Sequence, residues 1–242
     1  MSIESDEVAY EFERPLHERL GGIGPTALAW NTRAAEAYFT RFTGRWFDVL
    51  ADRDRPNRIT AQDLTAVSML GVTIPAGFAA WVLGPGAEDI SRLLRQVPVD
   101  RRIHDPWDGA DPLDDDGPAS RLWSLLQRGN WPEASSANDV GWVKAGKLLA
   151  AKRPALIPVY DAEVRTYLGD PPNFWKTLRA ALSTPEDRLL VSLPLAGVSS
   201  AAPADVDPTF LRALDIVLWM RATGWKQADR SLGPPPAASD VE

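Results

Sequence analysis

Residues 135–169 read SSANDVGWVKAGKLLAAKRPALIPVYDAEVRTYLG. Apolar and small residues recur at helical spacing from about 140 to 152. Pro154 ends the run, because the residue before a proline is pushed out of the helical region. Leu156 to Tyr160 forms a candidate strand, but Pro158 removes a ladder hydrogen bond from its middle. Asp161 then precedes a second helical stretch, where its carboxylate could cap free backbone N–H groups. A helix, a short extended link and a capped helix point to an α-rich protein.

The flanking sequence repeats that pattern. In 33–50, RAAEAYFTRFTGRWFDVL, the residues Ala37, Tyr38, Phe42 and Trp46 share one helical stripe. Thr60 reads as an N-cap, with Asp63 in the third helical position of a loose capping box. The helix after it carries Leu64, Val67 and Met69 to about Leu70. Pro75 opens another helix through Phe78, Trp81 and Val82, which Gly84-Pro85-Gly86 stops. Residues 88–97 form a short amphipathic segment, and 104–118, HDPWDGADPLDDDGP, an exposed loop. Helix resumes at 119–128, and 129–138 is a polar connection. Later helices begin at Pro172, at Thr184 and at Asp207-Pro208. The last has a long face of Phe210, Leu211, Leu214, Val217, Leu218 and Arg221, and stops at Gly224. The predicted architecture is mostly α, with little or no sheet and no internal repeat. An acidic segment over 1–18 precedes one helical domain over 19–230, and a disordered tail covers 231–242.

Composition narrows the chemistry. The 242 residues are 45% hydrophobic and 24% charged, which suits a globular core and excludes global disorder. There is no cysteine, so disulfides, thiolate zinc and iron–sulfur clusters are excluded. Only His17 and His104 are present, too few for a three-imidazole metal site. No metal or other cofactor is expected. The run Asp114-Asp115-Asp116 could meet a hard cation, but in a Pro/Gly loop it reads as solvated. No apolar run reaches the roughly 18 residues of a membrane helix, and the polar N-terminus does not resemble a secretory signal. A soluble cytoplasmic protein is the expectation.

The net charge of −7 is unevenly spread. Residues 1–18 and 100–117 each carry −5, which leaves the rest of the chain at about +3. Lys144, Lys147, Lys152 and Arg153 form its densest basic cluster, with Asp139 as the one acid between 138 and 153. A turn ending at Gly141 would present free N–H groups at a helix start, a ready phosphate site. Gly141, Lys144, Lys147 and Lys152 are therefore candidates for a non-specific DNA grip. The competing reading makes those lysines a solvated helix face and Asp161 a plain N-cap.

The same segment resembles the core of the helix-hairpin-helix DNA glycosylase superfamily. There a hairpin of the form Leu-Pro-Gly-Val-Gly opens a helix, and an aspartate follows in a pattern like Val-Asp-Thr-His-Val. Val140 and Gly141 match the end of that hairpin. Asn138 and Asp139 replace its proline and first glycine. Asp161 falls twenty residues after Gly141, the spacing typical of that superfamily, and Val164, Arg165 and Leu168-Gly169 continue the match. The likeness covers about 35 of the 242 residues. The chain as a whole also resembles a mainly actinobacterial family without assigned activity, in which the aspartate segment occurs with an ending like LDIVLWMR.

The resemblance implies a two-lobed helical architecture and duplex DNA as partner. It also implies monofunctional excision of a modified or damaged base, with Asp161 as catalytic carboxylate. Val143 stands where some relatives place a lysine nucleophile, so a Schiff-base lyase is not expected. A flipped base would need aromatic walls. Among ten tryptophans, most of them expected in packing, Trp142 beside the hairpin is the candidate, together with Tyr160 next to Asp161. The lost hairpin residues and the acidic loop keep two alternatives in play. One is a non-catalytic DNA- or protein-binding module on this scaffold; the other is a binder of a nucleoside-type small molecule.

Overall fold

The computed structural model describes residues 11–107, 109–127, 140–228 and 232–238. The described chain is helical, without a strand. The elements run α1 (Leu16–Arg19), α2 (Pro25–Arg41), α3 (Trp46–Leu50), α4 (Ala61–Ser68), α5 (Ala76–Leu83), α6 (Ala87–Leu94) and α7 (Pro118–Leu126). Then follow α8 (Trp142–Lys152), α9 (Ala162–Tyr167), α10 (Phe174–Ala180), α11 (Pro185–Ser192), α12 (Val198–Ala201), α13 (Phe210–Trp219) and α14 (Trp225–Gln227). A single apolar core joins residues from Leu16 to Leu232. No helix of the described residues is long and apolar enough to cross a membrane.

Local chemistry sets most boundaries. Thr60 and Asp63 form the reciprocal capping box at α4. Thr184 caps α11 through the amide of Asp187, and Gly84 ends α5. Pro154 follows the end of α8 at Lys152. The candidate strand 156–160 is an extended link outside any sheet, with Leu156 and Ile157 buried.

Several expectations are corrected. The stripe over 33–50 is not one helix, because α2 ends at Arg41 and Phe42 is extended (φ −99°, ψ 141°). Arg45 folds back to donate to the carbonyls of Phe39 (3.1 Å) and Thr40 (2.7 Å), satisfying the end of α2. A Cβ at Gly44 would collide with the Tyr38 hydroxyl, so the turn needs glycine for close approach. Trp46 leaves the stripe and is 42% exposed. Gly224 is not a stop either. The last helix passes through a π-helical stretch, Met220–Gly224, into α14, and a Cβ at Gly224 would press on Trp219 and Met220.

The tail also differs. Leu232 is buried, the Trp30 indole donates to the Gly233 carbonyl (3.4 Å), and Arg221 donates to that of Pro236 (3.0 Å). The acidic loop is tied down as well. Arg179 grips Asp111 with both nitrogens, Lys176 pairs with Asp114 and Asp115, and Asn173 donates to Asp115. Three of its aspartates therefore hold the loop against α10.

α8 packs against both α4 and α7, so it is covered on more than one side. Lys152 is 3% exposed and donates to Asp63 (2.8 Å) and to the Asp52 carbonyl (2.7 Å). Arg153, 1% exposed, donates to the carbonyls of Leu94, Val97, Pro56 and Lys152 and to the Asn57 amide oxygen. Lys152 is thus a core ion-pair partner, which corrects its reading as a phosphate contact. Asp63→Leu strands that ammonium and should lower stability by about 3–5 kcal/mol. Lys152→Met should cost less, because Asp63 keeps the donors of Asp52 and Thr60. Urea unfolding midpoints of the two variants check that order.

Candidate active site

Asp161 is the N-cap of α9, and its Oδ1 accepts from the Val164 amide at 3.1 Å. Its Oδ2 lies 3.6 Å from Lys147 Nζ, which also donates to the Leu70 carbonyl at 3.1 Å. Capping and a place in the site are thus held by one side chain. Lys147 is 3% exposed, so it is neither a solvated lysine nor a surface phosphate contact. Burial pushes its ammonium below the usual lysine range, against the opposing pull of Asp161 and Asp215.

The pair faces a cleft of about 190 Å³. Tyr38, Phe42 and Trp219 wall it: Tyr38 stacks on Phe42 (6.0 Å between centroids) and Trp219 meets Phe42 edge-on at 5.0 Å. Arg212 also lines the cleft. Its guanidinium donates to Asp48 (2.6 Å), Asp215 (2.5 Å), the Tyr38 hydroxyl (2.6 Å) and the Gly44 carbonyl (3.2 Å). Asp215 Oδ2 in turn accepts from the Val159 amide at 3.3 Å, two residues before Asp161. The C-terminal helix therefore positions the segment that carries the aspartate.

Trp142 and Tyr160 are not in this cleft. They line a separate cavity of about 880 Å³ with Trp123, Trp175 and Phe174. Tyr160 stacks on Phe174 (3.7 Å, 7° between planes) and lies 5.5 Å from Trp142, over which Arg165 sits at 5.5 Å. The reason is geometric. In extended backbone, neighbouring side chains take opposite sides, so Tyr160 and Asp161 are divided by their adjacency. On α8, five residues separate Trp142 from Lys147, about 140° of helical rotation. Burial pushes the Tyr160 phenol up, and its hydroxyl has no partner among the described residues.

Gly141 is exposed at the N-cap of α8, and Lys144 is half-buried in its first turn. Asn138 and Asp139 lie outside the described residues. Tyr38, Phe42, Trp219, Arg212 and Asp215 were missed by sequence reasoning. For the last two a signal existed: an Arg and an Asp three residues apart inside an otherwise apolar helix. Among the described residues, no three His, Asp or Glu lie close enough to hold a metal ion.

A model described as a family of unknown function, DUF6308, matches residues 31–222. The chain belongs to DUF6308. No curated protein and no solved structure matches it. The span matched by DUF6308 contains Asp161, Lys147, Arg212 and the three aromatic walls of the cleft.

In this DUF6308 chain, burial pushes the Asp215 carboxyl up to about 7, with Arg212 opposing. Asp48 adds to the rise, and Lys147 stands across the cleft. The folded state therefore holds this proton more tightly than the unfolded chain does. The stabilisation is full below the unfolded carboxylate value near pH 4 and is lost as the pH rises through about 7. Asp215→Asn should flatten that part of the stability curve. Unfolding midpoints at a series of pH values between 4 and 8 would show it.

Proposed function

We propose that this protein hydrolyses an N-glycosidic bond at Asp161. The observation that carries the proposal is the Asp161–Lys147 pair, fixed by the Val164 amide and the Leu70 carbonyl, at the edge of an aromatic-walled cleft. As the bond to the base breaks, the carboxylate stabilises the oxocarbenium-like sugar, and the proton of the attacking water passes to it. The departing base takes a proton from Lys147, whose ammonium burial makes a readier acid. Transfer from Asp161 to Lys147 then restores the pair. The C–N bond is exchanged for a C–O bond, with no covalent enzyme intermediate.

A single nucleoside-type unit is the substrate this geometry favours. Lys147 and Lys152 of the expected DNA grip are inside the protein, and the cleft, at about 190 Å³, has room for no more than a single small unit. A modified base in duplex DNA is the second reading. It rests on the exposed Gly141 at the start of α8, whose first-turn amides suit a phosphate, and on the helix-hairpin-helix resemblance of that segment.

Base release from nucleosides and from duplexes carrying modified bases tests both. Asp161→Asn should retain the fold, since Asn caps about as well as Asp, and should slow release by about 100-fold or more. Release from duplexes alone would favour the second reading. An Asp161→Asn variant working at the wild-type rate would defeat the mechanism. A nucleoside that raises the melting temperature without being cleaved would leave a binding protein.

A further inference from the structure

A third cavity, of about 630 Å³, shares no lining residue with the Asp161 cleft. It lies between the chain at 102–104, α11 and the start of α13. Its accessible apolar lining includes Leu189, 58% exposed, and Phe210, which meets the His104 ring edge-on at 6.4 Å, whereas Ile103 and Leu211 are buried. Arg102 and Arg188 also line it.

The polar groups here are incompletely matched. One nitrogen of Arg188 donates to the carbonyls of Leu182 and Ser183. The exposed Arg102 guanidinium has no partner among the described residues, although the Arg102 backbone amide donates to Asp105 at 2.8 Å. His104 Nδ1 is buried and has no hydrogen-bond partner among the described residues. Arg188 and Arg102 disfavour a charged His104 ring, and Asp105 favours it.

We infer that this cavity binds a small amphiphilic carboxylate, its head group at Arg102 and Arg188 beside the His104 ring and its hydrocarbon body on Phe210 and Leu189. Arg102 and Arg188 line the cavity, and a carboxylate offers its oxygens to such guanidinium groups. The apolar surface selects against an anion with nothing to bury. Burial, Arg188 and Arg102 all push the His104 imidazolium down, with Asp105 opposing. A bound carboxylate offsets the two guanidinium charges, so occupancy is readable as a rise in the His104 titration midpoint.

Only two histidines are present, so proton NMR resolves both imidazoles, and His17→Gln assigns them. Octanoate should raise the His104 midpoint in a saturable way. Octanol, lacking the charge, should leave it unmoved, and acetate should bind about tenfold more weakly or worse for want of a body to bury. Arg102→Gln, at an exposed position, should weaken octanoate about fivefold without changing the melting temperature. The inference is overturned by an unmoved midpoint at about 10 mM octanoate, far above the range of a specific site. An equal response to octanol, or unchanged octanoate affinity in Arg102→Gln, would overturn it too.

Discussion

The Arg212 guanidinium is the contact on which the geometry of the cleft depends. It is 4% exposed and donates to Asp48 on α3, to Asp215 on its own helix, to Tyr38 on α2 and to the Gly44 carbonyl between them. Such a group is tolerable inside a protein only when its donors are met and its charge is matched. Two carboxylates and two neutral oxygens do both here. The break after α2, the start of α3 and the C-terminal helix are thereby held in one arrangement. Through Asp215 the same network reaches the Val159 amide, and so the link that ends at Asp161.

Buried cations recur on α8, with a different solution at each. Lys152 is neutralised by Asp63, which also closes the capping box of α4. Arg153 has no carboxylate partner among the described residues and directs its donors to carbonyls and one amide oxygen, and burial lowers it to about 10. Lys147 alone is paired at the edge of a cavity, with a carboxylate on another element. Lys152 and Arg153 act as cross-braces, whereas Lys147 faces a space that a ligand can enter. That difference separates the structural members of one basic cluster from the member with chemistry open to it.

Much of the secondary structure was legible because its causes are local. Thr60 and Asp63, Thr184 and Asp161 each accept from amides within a few residues, and Pro75, Gly84 and Pro154 set helix ends through their own backbone constraints. The candidate aspartate was legible for the same reason, since its cap and its spacing from Gly141 are properties of one segment. The fate of the lysines was not. Periodicity reports one apolar face, but α8 packs against both α4 and α7, so a lysine can be buried by a neighbour far away in sequence. The break at Phe42 was hidden likewise, because Arg45, Tyr38 and Arg212 impose it on a stretch whose own spacing is helical.

The sequence by itself determined the helical class, most helix ends and the presence of a capped aspartate after an extended link. Those follow from hydrogen bonds and steric limits between near neighbours. Only the tertiary structure decided what Asp161 faces. Lys147, Tyr38, Phe42 and Trp219 reach it from three other helical regions, while Trp142 and Tyr160, close to it in sequence, line a different cavity. Backbone alternation and helical rotation turn close neighbours in the chain apart, and burial of charge joins distant ones.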